Sequence, residues 1–343
     1  MTVELDCSIG EGGGSVVRVS VALVAGQNKN LKLFNIRANR AKPGLRAQHI
    51  EAINAVKQFS GMSSPDLQVG NSQLFLTREN IDSNVANVNI GTAGSIGLVA
   101  QAVMFYSFSQ KRNLDLIIKG GATHGKWAPS VEYIQSVTNE LVRKMNKKIT
   151  ISVSRYGFFP RGGAEVSMSF NKHESLIPLD LVERGALEKV EIYATASRSL
   201  AERKVAERQI SSFSKEINTT VDIVENVNYV DSLSAGTGLT VVDTYSSGTK
   251  MGCFIPGERG LSSEKIGELC ADLWKKNSQS SASVDAYATD QLIVPMALSE
   301  GKSEITTTEI TNHTKTNIEL VHKFLNRIIT YEKEENCFRL TVT

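Results

Sequence analysis

What the chain lacks narrows its function first. It has 343 residues, and its Lys and Arg (38) barely outnumber its Asp and Glu (36). There is thus no global basic field to draw in nucleic acid, and any phosphate or RNA contact must come from local clusters. The four cysteines (Cys7, Cys253, Cys270, Cys337) are scattered, with no C-x-x-C pair. That excludes a disulfide framework or a cysteine zinc site and suits a reducing compartment. The most apolar helix-like stretch, Ile96 to Phe108, is too short to span a bilayer and contains Gln101. Met1 to Gly10 has no basic segment followed by an apolar one, so no signal peptide is read. A cytosolic (cytoplasmic) protein without membrane contact is expected. The glycine runs Gly12–Gly14 and Gly91–Ser95 are followed by no Gly-Lys-Ser/Thr and complete no G-x-G-x-x-G, so neither is a nucleotide loop of those kinds.

What is present is a repeat. Glu11-Gly12-Gly13-Gly14-Ser15 leads into apolar Val16 to Ala25, a strand-like Asn30 to Ile36, a polar loop to Gln48, and a helix-like His49 to Phe59. Gly91-Thr92-Ala93-Gly94-Ser95 leads in the same way into Ile96 to Phe108, a strand Asn113 to Ile118, a loop Gly120 to Ala128, and a helix Pro129 to Met145. A third unit has helix Val284 to Leu298, strand Glu304 to Glu309, a loop containing His313, and helix Thr316 to Ile328. Leu31 and Leu33, like Leu114 and Leu116, alternate as in strands, and Ile318, Val321 and Leu325 share one helical stripe. Hairpin-like runs come between, such as Ile149 to Phe170 turning at Pro160 to Gly163. Self-similarity of this kind signals an internally duplicated fold.

Spacing then locates an insertion. Leu31 and Leu114 are 83 residues apart, whereas Gln101 and Gln291 are 190 apart. The excess of roughly 100 residues is one small domain. It should fall between Asn171 and Ser281, and its strand, helix, strand, strand, helix pattern (Val190–Ser197, Leu200–Ile217, Thr220–Val227, Gly238–Tyr245, Ser263–Lys276) reads as α/β.

Chemistry concentrates in three polar loops at equivalent places. Arg37, Arg40, Lys42 and Arg46 crowd the loop before a helix start, where guanidinium forks and free N–H groups suit phosphate oxygens. Composition alone favours a solvated basic loop; the equivalence to the His313 loop reverses the balance toward a site. Glu11 is the acid placed to hold a divalent ion near phosphates, or else to cap a helix. Of the five histidines, His322 borders an apolar stripe, His173 lies in a linker expected to be exposed, His124 is ambiguous, and His49 begins the helix of the basic loop. His313 has Thr311, Thr314 and Thr316 around it, with Asn312 and Asn317 to orient an imidazole, so a nucleophile and an ordinary polar-loop residue both fit.

At these residues the chain resembles the RNA 3′-terminal phosphate cyclases, of the true catalytic type, over essentially its whole length. The matching signatures are Gly10 to Gly14 with Arg18, Arg37 to Gly44 continuing to Gln48-His49, and Ile90 to Ser95 with Gln101. Gly120 to Thr123 with Pro129, Tyr287-Ala288-Thr289-Asp290-Gln291, and His313 to Asn317 complete them. The resemblance implies an α/β (α+β) fold in which three repeated units, each of two helices on a four-stranded sheet, form the main domain. A smaller α/β domain is inserted before the third repeat. With the spacing argument, this gives a three-repeat catalytic core at residues 1–177 and 278–343 and an insert at 178–277.

It also implies the activity. ATP is consumed, an RNA 3′-phosphate becomes a 2′,3′-cyclic phosphodiester, and AMP and diphosphate are released. By resemblance His313 is the catalytic nucleophile that becomes adenylylated, after which the AMP passes to the RNA to give an RNA(3′)pp(5′)A intermediate. Gln101 and the segment Tyr287, Ala288, Thr289, Asp290 and Gln291 bind the nucleotide, with Pro129 and Tyr287 flanking adenine. Arg18, Arg37, Arg40, Gln48 and His49 grip phosphates of ATP or of the RNA end, and Glu11 holds Mg²⁺ or Mn²⁺. The RNA needs a terminal 2′-OH and little base specificity. A free imidazole near pKa ~6.5 is mostly neutral at neutral pH and needs no dedicated base. Two rival families share related repeats. Noncatalytic cyclase-like factors of ribosomal RNA processing lack the histidine, and enolpyruvyl transferases need neither His313 nor the Tyr287–Gln291 segment.

Overall fold

Apolar and polar side chains alternate in the strands so that one face of each sheet is dry. Leu114, Leu116 and Ile118 are buried while Asp115, Ile117 and Lys119 between them are exposed, the two-residue period of a half-covered sheet. The computed structural model describes residues 1–79 and 82–343. The first unit runs β1 (Thr2–Asp6), α1 (Gly14–Gly26), β2 (Asn30–Phe34), α2 (Ala47–Ser60), β3 (Met62–Ser63) and β4 (Leu74–Arg78). The second runs β5 (Val85–Ser95), α3 (Ile96–Ser107), β6 (Leu114–Ala122), then a helix in three consecutive parts. These are α4 (Val131–Tyr133), a π turn (Ile134–Thr138) and α5 (Asn139–Arg143), followed by β7 (Ile149–Arg155) and β8 (Glu165–Phe170).

The third unit opens with β9 (Asp180–Leu181) and is then interrupted. The interruption holds β10 (Leu187–Ser197), a 3₁₀ turn (Arg198–Leu200), α6 (Val205–Glu216), β11 (Asp222–Val230), β12 (Thr237–Tyr245), β13 (Lys250–Pro256) and α7 (Ser263–Gln279). The unit resumes with α8 (Ala286–Leu298), β14 (Ser303–Thr307), α9 (Asn312–Phe324), β15 (Ile329–Lys333) and β16 (Phe338–Val342).

Three sheets share one topology. Their strand orders are β1-β2-β4-β3, β5-β6-β8-β7 and β9-β14-β16-β15, parallel in the first pair of each and antiparallel in the rest. A helix crosses over between the two parallel strands, as parallel pairing requires. The chain is thus a mixed α/β fold with one unit used three times.

The fourth sheet, β11-β10-β12-β13, belongs to the interrupting residues. It buries its own apolar cluster from Val190 to Trp274, with Phe213 and Trp274 edge to face at 6.3 Å. The sequence pattern did not reveal β13. Asp180 and Leu181 lie within the span expected for the insert, yet they pair with Glu304 and Ile305 of β14 and complete the third sheet. A two-residue strand is too short to show any alternation. Among the described residues no helix is long and apolar enough to cross a membrane.

The first helix of each unit is buried almost all round: Ser15 to Ala25 in α1, most of α3, and Ala288 to Ala297 in α8. Helices of that kind belong at the centre, where α1 packs on α3 and α9, and α8 on α3 and α9. The last helix begins earlier than its apolar stripe suggests. Thr311 accepts the Thr314 N–H at 3.0 Å and caps α9 at Asn312, so His313 sits in the first helical turn and not in a loop.

The interrupting residues leave and rejoin the third unit at one hydroxyl. Buried Thr306 Oγ1 donates to Val182 O at 2.8 Å and accepts from Ser283 N at 2.9 Å. Thr306→Val should therefore lower stability by about 1–3 kcal/mol, the cost of orphaning buried partners, whereas Thr306→Ser should recover most of it. Urea unfolding followed by circular dichroism checks this.

Candidate active site

The repeat offsets fall on three side chains at the centre. Arg18 of α1, Gln101 of α3 and Gln291 of α8 occupy matching places one turn into the first helix of each unit. Arg18 Nε donates to Gln101 Oε1 at 2.8 Å, and Gln101 Nε2 donates to Gln291 Oε1 at 3.1 Å. Gln291 Nε2 in turn donates to Asp290 Oδ1. Arg18 is only 6% exposed. Burial pulls its guanidinium down to about 10 against the support of Asp290 and Glu11, so it remains a cation. Among the described residues its terminal amines find no protein acceptor, which leaves them for an anion. Asp290 is pushed up to about 6 by burial, opposed by His313, Gln291 and Arg18.

Beside this chain stands His313. Its Nδ1 lies 3.0 Å from Glu11 Oε1, and the other oxygen of Glu11 is 3.5 Å from Arg40 Nη2. The contact with Glu11 raises the imidazole above its ordinary value; burial works against it, and the charges of Glu11 and Asp290 add to it. For Glu11, burial pushes the carboxyl up, but His313, Arg40 and Arg18 together outweigh it and hold it low. The expectation of an unperturbed, mostly neutral imidazole is thus corrected.

Glu11 is fixed in place as well. Its N–H donates to Thr316 Oγ1 at 3.1 Å, that hydroxyl donates to Asn312 O at 2.8 Å, and Arg40 Nη2 donates to Glu11 O at 3.1 Å. Gly10 makes the approach possible. It sits at φ +56°, and a Cβ there would stand 2.3 Å from Thr316 Oγ1. Asn317 does not orient the imidazole. It accepts from Ser15 Oγ at 3.3 Å and donates to Asp290 O at 2.8 Å, tying α9 to α1 and α8.

The basic loop is partly self-held. Arg37 Nη1 donates to Lys42 O at 2.7 Å and Gly44 O at 3.0 Å, and burial lowers its pKa, followed by its neighbours Arg46 and Arg40. Gln48 is half-buried, close enough to Gly94 that its Cβ is 3.4 Å from where a Gly94 Cβ would stand. His49 is buried, and its Nδ1 accepts the Arg46 N–H at 3.1 Å. Burial, then Arg18, Arg37 and Arg46, push it down to about 3, so it is a neutral ring with its proton on Nε2. That nitrogen would stand 2.2 Å from a Cβ on Gly14. It can donate to a phosphate but brings no charge.

Tyr287, 54% exposed, heads α8. The residue that holds it, Asp285, escaped the sequence reading. Asp285 Oδ1 accepts from Tyr287 N (2.9 Å), Ala288 N (3.0 Å) and Tyr133 Oη (2.6 Å), and Oδ2 accepts from Gly252 N (2.9 Å). One buried carboxylate therefore joins the start of α8 to α4, just after Pro129, and to β13. An Asp before an apolar run is legible as a helix cap, but its reach across the chain is not. Ala288 and Thr289 are fully buried, and the Thr289 hydroxyl is spent on Asp285 O and Thr307 Oγ1. Their side chains pack within the helix bundle.

His124 is buried with Nε2 3.1 Å from Glu132 Oε2, out of hydrogen-bond alignment. Its ring packs 5.6 Å from Phe254. His173, expected to be exposed, is 8% exposed. His322 is exposed, with Nε2 accepting from Ile329 N at 3.0 Å.

All three units thus converge on an imidazole, a carboxylate, and the terminal amines of Arg18. A family model described as RNA 3′-terminal phosphate cyclase matches residues 9–331. The chain is similar to the RNA 3′-terminal phosphate cyclase of Methanosarcina barkeri, at 34% identity covering 99% of this chain and 100% of the relative. It is similar to that of Archaeoglobus fulgidus at 32% identity (96% and 98% covered) and to that of Pyrococcus abyssi at 33% (97% and 96%).

The His313–Glu11 pair makes a direct prediction. By NMR titration His313 should lose its proton above the ordinary 6.5, and Glu11→Gln should bring that titration down toward it.

Proposed function

We propose, from the premise that this chain belongs to the RNA 3′-terminal phosphate cyclase family and is an enzyme, that it uses ATP to close an RNA 3′-phosphate into a 2′,3′-cyclic phosphodiester by way of an adenylate on His313. One observation carries the reading: His313 Nδ1 is held 3.0 Å from Glu11 Oε1 while, among the described residues, Nε2 has no protein partner. A ring whose Nδ1–H is engaged by a carboxylate presents its lone pair at Nε2.

In the first step the Nε2 lone pair attacks the α-phosphorus of ATP, the N–P bond forms, and the bond to diphosphate breaks. The ring carries positive charge as it does so, and Glu11 at Nδ1 stabilises that charge. In the second, an oxygen of the RNA 3′-phosphate attacks the same phosphorus and imidazole leaves. In the third, the neighbouring 2′-OH attacks the RNA phosphorus, loses its proton, and AMP leaves. Each step moves charge on phosphoryl oxygens, and the free amines of Arg18 with Arg40, Arg37, Gln48 and the neutral His49 are the groups placed to receive it.

Gln101, Asp290 and Gln291 set the floor on which the nucleotide sits. Tyr287, held through its backbone by Asp285, and Pro129 at the start of α4 flank the adenine. Ala288 and Thr289 act by packing. Among the described residues no three His, Cys, Asp or Glu side chains gather as a metal cage. A single carboxylate beside phosphates fits Mg²⁺ or Mn²⁺ held chiefly by the substrate, with Glu11 as the protein ligand. The ion would neutralise charge on the phosphates.

Incubation with α-labelled ATP tests the reading. Wild type should carry an acid-labile, base-stable label, and His313→Ala should carry none while staying folded; equal labelling of the variant would overturn the assignment. Because His313 is raised, labelling should fall as pH drops through a value above 6.5. Glu11→Ala should slow labelling by roughly 10²-fold and leave RNA binding nearly unchanged.

A further inference from the structure

We infer that Trp127 is a stacking platform for a base of the RNA strand close to its reacting 3′ end, a contact that rests on the activity proposed above. The indole is 87% exposed, and its backbone sits at φ +60°. A bulky aromatic at positive φ is strained, and strain of that kind gathers at ligand sites. An indole left in water also forgoes the burial that aromatic side chains normally gain.

The residues around Trp127 are anchored. On one side Gly125 packs so closely that a Cβ would stand 3.0 Å from Ser95 Cβ. On the other, the Pro129 carbonyl is 3.1 Å from where a Gly97 Cβ would be. Both ends of the segment are thus pinned at the start of α3, the helix that carries Gln101 into the site. Trp127 is two residues from Pro129, at most about 7 Å along the chain, and so stands next to the nucleotide position without being part of it. Lys126 lies 5.2 Å from the centre of the Trp127 ring and donates to Glu258 Oε2 at 2.8 Å, so it also clamps the segment to the interrupting residues.

An exposed aromatic face beside a lysine, at the edge of a phosphate-binding centre, has the chemistry that single-stranded nucleic acid meets. The base stacks on the open face of the indole, and the contact tolerates any base. With the adenine placed between Tyr287 and Pro129 in the activity proposed above, the occupant of this platform is an RNA base.

The chain has two tryptophans, and the other, Trp274, is 7% exposed with Nε1 donating to Asp243 Oδ1 at 2.8 Å. Emission changes on RNA binding consequently report Trp127. A trinucleotide bearing a 3′-phosphate should quench wild type and not Trp127→Phe. Trp127→Ala should raise the trinucleotide KM about tenfold, and Trp127→Phe only about two- to threefold, with labelling by ATP alone unchanged in both. An abasic trinucleotide should bind wild type as weakly as the full trinucleotide binds Trp127→Ala. No quenching of wild type, an unchanged KM in Trp127→Ala, or a parallel loss of ATP labelling would each overturn the platform. Quenching in a wild type that takes no label from ATP would leave the platform standing and remove the adenylylation reading instead.

Discussion

The structure turns on a buried polar chain, Arg18 to Gln101 to Gln291 to Asp290, to which all three repeats contribute. Each unit could bury its apolar face against any neighbour of the right shape. A buried guanidinium is less permissive, because it must find oriented acceptors or counter-charge when taken out of water. Gln101 and the charges of Asp290 and Glu11 supply these only if α1, α3 and α8 meet in register. The same requirement leaves Arg18 with donors that the protein does not satisfy, so the interaction that orders the centre also creates an anion site there.

Around that centre the remaining parts are set by neighbours rather than by their own loops. Thr311 starts α9 early enough to put His313 in a helical turn, Thr316 seats Glu11, and Glu11 takes the imidazole at Nδ1. Asp285 performs the equivalent service for Tyr287, spending four hydrogen bonds on three elements. Thr306 closes the third sheet where the interrupting residues leave and return. Short polar side chains at element ends therefore carry most of the positional information, while the long apolar helices carry stability.

Much of this was legible. The alternation at Leu31 and Leu114 and the offsets of 83 and 190 residues revealed the repeat and its interruption, because burial on one face imposes a period that the sequence must keep. What was hidden had no period. β9 is two residues long, and β13 lies in a stretch whose strand character comes from pairing with β12. The types of residue at the site were readable, but their states were not. His313 reads as an ordinary imidazole until Glu11, more than three hundred residues earlier, is seen beside it. His49 reads as a phosphate ligand of open charge until its burial among arginines shows a neutral ring. Asn317 reads as a partner for His313 until its amide is found bridging α8 and α1. Charge state and orientation depend on contacts between units, which a local pattern does not contain.

The central claim is that Glu11 occupies Nδ1 of His313 and leaves Nε2 to react. It is tested most directly by isolating the adenylylated peptide and assigning, by heteronuclear NMR of the intact phosphoramidate, which ring nitrogen bears the phosphorus. The account predicts phosphorus on Nε2 of His313. Phosphorus on Nδ1, or on a residue other than His313, would contradict it.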